Sequence, residues 1–444
     1  MKKPERAQSL ARESAVLVRV ILSEDTSAES PLAELEGLAS TAGTEIVGRM
    51  VQHREAPDVK TYLGKGKVDE LRQLVEREEA DVVIFDNNLS PAQTRNLEKA
   101  VEVKVVDRIE LILDIFASNA RTYESRLAVE LAQLQYSLPR LKQMWSHLSR
   151  IKMGIGMRGP GEKQLEVDRR LVEKRIHDLR TELTVVEQRK ERQVAARNDH
   201  MSVSLVGYTN AGKSTLMNAL TGADVLVEDK LFATLDTRTR RWQLPNWGPV
   251  LLSDTVGFIR DLPHRLITSF KATLEEARQA DLLLHVADAS QPAVCEQISA
   301  VFGVLAEIGI EAKDALLVVN KIDRLPSVNA LNGLLNRYPN AIPISAQDRL
   351  GFERLAFAVS DALSRAFCDV DVETGVDNGR LMAYLAAHGE VLSQRFDDQR
   401  ATIHCRLPRK CLARIHEPGT QVRLREAQVP AVVAVAGNSG EDVA

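Results

Sequence analysis

Apolar and polar positions change their rhythm several times along this chain. In the first stretch, short apolar runs alternate with segments of helical period. Residues 15–22 (AVLVRVIL), 45–51, 81–85 (DVVIF) and 104–106 predict strands, while 31–42 (with Leu32, Leu35 and Leu38 inward), 68–79 and 91–101 predict helices. Such alternation implies a small α/β layer. From Leu127 the apolar residues fall at 4,3,4,3 spacing (Leu127, Leu131, Leu134, Leu138, Leu141, Trp145, Leu148), and a second stripe runs Val172, Ile176, Leu179, Leu183, Val186. These predict two long helices packed as an antiparallel hairpin, the first interrupted and kinked at Pro139. Beyond residue 200, buried strands at 203–206, 250–253, 281–287, 315–319 and 342–345 predict a mostly parallel sheet. Strand-like alternation at 401–407 and a helical stretch at 409–415 add a small α+β appendage, and the end, VAGNSGEDVA, reads as disordered. The expected fold class is therefore α/β and multidomain. An N-terminal α/β domain (1–120) and a helical hairpin (121–200) precede the parallel-sheet domain (201–367) and the C-terminal appendage (368–444).

Composition narrows the partners. A net charge of −4 supplies no global field for nucleic acid or membrane, so any polyanion must be met locally. Such a patch lies between the two hairpin stripes, where Arg140, Lys142, Arg150, Lys152, Arg158 and Lys163 face a single Glu162 around the glycine-rich run 152–161. Too rich in glycine for regular structure, that run predicts a projecting tip suited to a phosphodiester backbone; a solvated helix face is the alternative. A second loop, Tyr62-Leu63-Gly64-Lys65-Gly66-Lys67, reads equally as a phosphate or RNA contact and as a glycine-permitted turn with solvated lysines. Four cysteines without C-x-x-C spacing argue against a zinc site or disulfide framework, and His404, Cys405, Cys411 and His416 match no common zinc pattern. With no run of eighteen apolar residues and no secretory leader, the chain reads as cytoplasmic, without integral membrane insertion; peripheral membrane association stays open.

The chemistry concentrates in 201–216, MSVSLVGYTNAGKSTL. Gly207, Tyr208, Thr209, Asn210, Ala211, Gly212, Lys213 and Ser214, followed by Thr215, fit G-x-x-x-x-G-K-[ST] between a strand and a helix. Backbone N–H groups of such a loop cradle phosphates, Lys213 reaches the outer ones, and the Ser214 hydroxyl can ligate Mg²⁺. Asp254-Thr255-Val256-Gly257 follows a second strand: the carboxylate can hold Mg²⁺ through water, and the Gly257 N–H can meet a γ-phosphate. Asn320-Lys321-Ile322-Asp323 selects the base, because Asp323 accepts from guanine N1–H and its exocyclic amine, whereas adenine leaves that charge unpaired. Ser345-Ala346-Gln347 brings backbone to the guanine oxygen. Four such signals, each at a strand end, predict a GTP/GDP site at the carboxyl edge of a parallel sheet.

Residues 201–367 resemble a translation-factor-class GTPase domain. Flanking phrases narrow the resemblance to the HflX family of the Obg–HflX GTPases: GKGKVDEL at 64–71, LSPAQTRNLE at 89–98, DRIELILDIFA at 107–117, VELAQLQY at 129–136, GIGMRGPGEKQLEVDRR at 154–170 and LFATLD at 231–236. The similarity spans about residues 15–370 and departs at Lys163, where the family usually has threonine, and in the C-terminal region. It implies that switch I includes Phe232, Ala233, Thr234, Leu235 and Asp236, with Thr234 the second Mg²⁺ ligand; without it, Thr234, Thr237 and Thr239 are equal candidates. It further implies catalytic roles for Lys213, Thr234 and Gly257. The expected activity is Mg²⁺-dependent GTP hydrolysis on the ribosome, by a monomer bound to the 50S subunit and its 23S rRNA through Arg150, Lys152, Arg158 and Lys163, not to DNA. The tip would enter the peptidyl-transferase region, and stalled or idle 70S ribosomes would be split under stress; subunit assembly and a non-ribosomal GTP switch are the alternatives. Ras-like enzymes place a water-orienting glutamine after D-x-x-G, where this chain has Phe258, so intrinsic hydrolysis is expected to be slow and partner-stimulated. Asn210 recurs in GTPases that use K⁺, which makes K⁺ a candidate second cation.

Overall fold

The computed structural model describes residues 13–23, 31–144, 160–195, 201–222, 231–232, 237–245, 248–260, 276–307, 309–310, 315–365, 367–397, 399–415 and 419–425. Trp145, Leu148, Arg150, Lys152, Arg158, Ala233, Thr234, Leu235, Asp236, His416 and the terminal segment VAGNSGEDVA lie outside them.

Strands β1 (Ser14–Leu22), β2 (Glu45–Arg54), β3 (Val82–Phe85) and β4 (Lys104–Val106) form an all-parallel sheet in the order β2-β1-β3-β4. Alternation along β1 sends Val16, Val18 and Val20 to one face, under α2 (Lys65–Arg77) and α3 (Pro91–Val101). Ala15 and Leu17 go to the other face, under α1 (Ala33–Ala42) and α4 (Arg108–Asn119). Two expectations are corrected here. The Gly64–Lys67 stretch is not a free loop: Gly64 caps α2, and Lys65-Gly66-Lys67 is its first turn. Likewise α5 (Tyr123–Met144) runs through Pro139 without a break, although one backbone bond is lost there.

Helix α5 packs against α6 (Pro160–Ala195), whose Ile176, Leu179 and Leu183 are buried with Leu127 and Leu131. Pro160 and Gly161, expected in the tip, instead open α6, where proline's missing N–H costs nothing. Lys163 therefore sits in a first helical turn, and the helix continues to Ala195. Arg140 does not belong with the tip charges. Its guanidinium bonds Asp107 at 3.0 Å and the Leu89 carbonyl at 3.1 Å, and stacks 3.5 Å from the Tyr136 ring centroid.

A second sheet combines β5 (Ser202–Gly207), β6 (Arg238–Leu244), β7 (Gly248–Asp254), β8 (Leu282–Asp288), β9 (Ala315–Asn320) and β10 (Ile342–Pro343), with α7 (Lys213–Thr221), α8 (Val294–Glu307), α9 (Val328–Arg337) and α10 (Phe352–Ser364). Its order, β10-β9-β8-β5-β7-β6, is parallel except for β6. The two sheets belong to one compact unit and share one apolar core, in which Leu35, Phe116 and Leu127 join Val206, Tyr208, Phe232, Phe258 and Ile259.

From Ser360 the chain forms a second compact unit. Strands β11 (Phe367–Gly375), β12 (Glu390–Asp397), β13 (Arg400–Pro408) and β14 (Gln421–Leu424) form an antiparallel sheet ordered β12-β13-β11-β14, with α11 (Gly379–His388) and α12 (Leu412–Ile415). This is the split β-α-β-β-α-β arrangement. Val370, Val372, Ile403 and Cys405 face its core, while Asp369 and Asp371 on the other face pair with Arg406 and Arg425. Strand alternation thus sends His404 and Cys405 to opposite faces.

Candidate nucleotide site

The carboxyl ends of β5, β7, β8, β9 and β10 converge on the loop joining β5 to α7. That loop accepts nothing larger than glycine at two points. A Cβ on Gly207 (φ 149°) would lie 2.1 Å from the Val286 carbonyl, and one on Gly212 (φ 91°) 2.4 Å from Asn320 Nδ2. The resulting backbone cradle ends at the N-terminus of α7, which favours an anion. Lys213 Nζ donates to the carbonyls of Gly207 (3.1 Å) and Tyr208 (2.9 Å). Burial pulls its pKa down to about 8.

Asp254 ends β7 beside the start of α7, and the Ser214 hydroxyl donates to Asp254 Oδ2 at 2.6 Å. A hydroxyl and a carboxylate this close are hard oxygen donors, which suit Mg²⁺ supplemented by phosphate oxygens and water. Ser214 and Asp254 would hold the ion, which supplies charge neutralisation of the triphosphate. Thr255 turns away, donating to the Leu205 carbonyl at 2.7 Å. Of the three threonine candidates in switch I, Thr237 donates to Glu276 (3.0 Å) and Thr239 pairs with Ser253 (3.1 Å).

The base-side residues are joined to the phosphate loop. Asn320 Nδ2 donates to the Ala211 carbonyl, and its Oδ1 accepts from the Ala346 N–H, both at 2.9 Å. One buried amide thereby links the loop, β9 and the Ser345-Ala346-Gln347 turn. Lys321 Nζ donates to the Asn210 carbonyl at 2.8 Å, and Asp323 stands exposed in a short 3₁₀ turn, Ile322–Arg324.

Switch II, the segment that begins with Asp254-Thr255-Val256-Gly257, enters across the phosphate loop. Phe258 N–H donates to the Gly207 carbonyl (3.0 Å), and Thr209 N–H donates to the Phe258 carbonyl (2.7 Å). A Cβ on Gly257 would meet Thr209 Cα at 2.7 Å, so this position also requires glycine. The Phe258 ring is buried in the core shared with the N-terminal layer and has no means of orienting water.

Several expected nucleotide residues have side chains that point elsewhere. Tyr208 donates its hydroxyl to Glu34 of α1, while burial, reinforced by that carboxylate, raises its pKa and keeps it protonated. Phe232 packs edge-on against Phe116 (centroids 4.7 Å apart); its N–H donates to Thr209 Oγ1 at 2.9 Å, and its carbonyl accepts from Asn119 at 3.0 Å. These two contribute backbone, and their side chains fasten the site to the N-terminal layer.

Sequence reasoning missed Asp288 and His285. Asp288 ends β8, pairs with Lys321 Nζ at 2.7 Å and accepts from the Ser290 N–H and hydroxyl at 2.9 and 2.6 Å. Its signal was present: an acid closing the buried run DLLLHVAD at the same sheet edge. Asp288→Asn, by freeing Lys321 beside the phosphate loop, is expected to weaken GDP and GTP equally, about ten-fold for one lost charged pair. Fluorescent-nucleotide titration measures this, and a change in only one nucleotide would contradict it. His285, buried behind Lys213, has its pKa lowered to about 3 by burial and by that lysine, and stays neutral.

Three family descriptions match successive parts of the chain: GTP-binding GTPase N-terminal over residues 29–117, GTP-binding GTPase Middle Region over 119–197, and 50S ribosome-binding GTPase over 202–321. GTPase HflX of Caldanaerobacter subterraneus subsp. tengcongensis is 46% identical over 396 residues, covering 88% of this chain and 91% of the relative. That of Escherichia coli K12 is 48% identical over 374 residues, covering 84% and 88%. A crystal structure of a GTP-binding protein from Sulfolobus solfataricus in complex with GDP aligns at 25% identity with a TM-score of 0.42, covering 80% of this chain and 99% of that one. With relatives of this identity along most of its length, and with the phosphate loop, Asp254–Gly257, Asn320–Asp323 and Ser345–Gln347 at one sheet edge, the chain belongs to the HflX family of GTPases.

Proposed function

We propose that this GTPase binds the large ribosomal subunit in its GTP state, splits stalled or idle 70S ribosomes, and is released after slow hydrolysis that the ribosome accelerates. One observation carries the reading. The elements that sense the γ-phosphate and the hairpin that carries the basic, glycine-rich segment pack into the same core, in which Phe232 and Phe258 join Leu127, Leu131 and Leu179. Nucleotide state and hairpin engagement are then linked reciprocally, as a GTP-timed binding cycle needs. The engagement of Thr237 and Thr239 elsewhere supports Thr234 as the switch I ligand. Phe258, buried and apolar, supports slow intrinsic turnover, and Asn210 supports K⁺ as a second cation, to be tested by comparing rates in KCl and NaCl.

The direct test is sucrose-gradient sedimentation of purified ribosomes with the protein and a non-hydrolysable GTP analogue. Loss of the 70S peak, with protein on free 50S subunits, supports splitting; protein bound only to immature large particles favours subunit assembly instead. Replacing Arg158 and Lys163 by alanine is expected to weaken 50S binding and lower its salt-dependence slope by about two, roughly one for each phosphate that is no longer neutralised. An unchanged slope would remove those two residues from the RNA interface.

A further inference from the structure

The starts of α3 and α4 and the upper part of α5 meet at one buried carboxylate, Asp107. Its two oxygens have different tasks. Oδ1 caps α4 by accepting from the Glu110 N–H at 2.9 Å. Oδ2 accepts from the Leu89 N–H at 3.3 Å and from Arg140 Nη2 at 3.0 Å. The same Nη2 donates to the Leu89 carbonyl at 3.1 Å, so one ion pair holds both backbone groups of the residue that precedes Ser90, the cap of α3. Arg140 Nη1 turns back to the Tyr136 carbonyl at 3.2 Å, and the guanidinium lies over the Tyr136 ring. These bonds fall beside Pro139, where α5 loses a backbone bond. Toward its N-terminus α5 is held by α6, through Arg175 paired with Glu130 at 2.8 Å and through the apolar stripe Leu183, Leu179, Ile176 and Val172. The next position of that stripe is Arg169, which pairs with Glu173 of its own helix. The apolar seam between the helices therefore lapses near the level of Arg140, and there the N-terminal layer grips α5 instead.

We infer that Arg140 is a positioning residue for large-subunit binding: clamped by Asp107 and Leu89, it fixes the direction in which α5 leaves the N-terminal layer and so aims the glycine-rich segment, without itself contacting RNA. The inference rests on the large-subunit reading above. A segment already held in its bound direction has less freedom to lose on association, so a loosened α5 costs affinity while every phosphate contact is kept. The clamp needs a planar fork. Nη2 serves Asp107 and Leu89 together while the ring stack holds the plane, which a lysine cannot reproduce although it keeps the charge.

Arg140→Lys and Arg140→Gln, made in the full-length protein, separate this role from an RNA contact. With a non-hydrolysable GTP analogue bound, both are expected to weaken binding to purified 50S subunits about ten-fold, with the salt-dependence slope unchanged. The 50S concentration that half-saturates stimulated GTP hydrolysis should rise by the same factor, while the plateau rate and the GDP affinity of the free protein stay within about two-fold of wild type. An RNA contact gives a different pattern: the lysine variant binds like wild type, and the glutamine variant lowers the slope by about one. That pattern would overturn the proposal, and so would unaltered binding by both variants. If wild type itself binds no 50S subunits, the large-subunit reading falls and takes this inference with it, an outcome distinct from wild-type binding with indifferent variants. If Arg140→Gln fails to fold, as loss of GDP binding would show, Arg140→Lys decides alone.

Discussion

Asp323→Asn is expected to convert this enzyme from a guanine to a xanthine nucleotide hydrolase. The wild-type carboxylate, exposed in its 3₁₀ turn, is free to accept two hydrogen bonds from guanine, whose N1–H and exocyclic amine are both donors. An asparagine presents one donor and one acceptor instead; it meets guanine's amine with an N–H and leaves two donors opposed. Xanthine has a carbonyl where guanine has the amine and so restores the pairing. Sites built on such polar matches discriminate by about 10⁴, so GTP affinity should fall on the order of a thousand-fold while XTP gains a comparable factor. The Asn320 amide that joins the loops is untouched, so the fold of the site should persist. Competition between labelled GTP and XTP reads the outcome directly. Retained GTP preference would mean that the base is selected by another residue.

Lys213→Met carries the second large effect. Two charge-assisted bonds to phosphate oxygens, each about 1.5–3 kcal/mol, should be lost, lowering affinity for GTP roughly a hundred- to ten-thousand-fold. The wild-type lysine also makes binding pH-dependent. Its pKa stands near 8 in the folded protein, lowered by burial. Phosphates favour the charged form, so affinity should drop about ten-fold between pH 7 and pH 9 as the free protein loses this proton. The methionine variant should lack that dependence. Stability moves in the opposite sense. The unfolded chain holds the proton up to its ordinary 10.5 and the folded chain only to about 8, so folding stability rises with pH across that window and carries the full cost below it. Thermal melts of both proteins at pH 7 and pH 10 check the sign: wild type should gain on the variant at the higher pH.

Much of the nucleotide site was legible because each element occupies a strand end, and strand ends are marked by the switch from a buried apolar run to glycine or a polar residue. The run Leu316–Val319 before Asn320 and the run Val250–Ser253 before Asp254 illustrate this. Asp288 was equally well marked and was passed over because no sequence pattern named it; its role rests on a lysine distant in the chain. The N-terminal layer was legible from its alternation, yet α4 hid behind a phrase whose apolar residues face two partners at once. Leu111, Ile112, Leu113, Ile115 and Phe116 are all buried, which erases the one-sided stripe by which a surface helix is recognised. Glu34 and Asp86 could not be foreseen as partners of Arg108 and Arg260, since charged residues so far apart in the chain meet only through the packing of two sheets. The split β-α-β-β-α-β unit was seen as one strand and one helix, because β12 is exposed along its length and offers little periodic burial to read.

The apolar core shared between the N-terminal layer and the GTPase sheet also bears on how the chain is born. Synthesis delivers β1 to β4 and their helices first, a parallel sheet complete in itself, with Phe116 already in place. When residues 201–260 emerge, Phe232, Phe258 and Ile259 find a finished surface rather than water, and both switches assemble against a template made seconds earlier. A GTPase sheet expressed from Met201 onward would meet no such template and would present those rings to other chains, making it a sticky and aggregation-prone fragment.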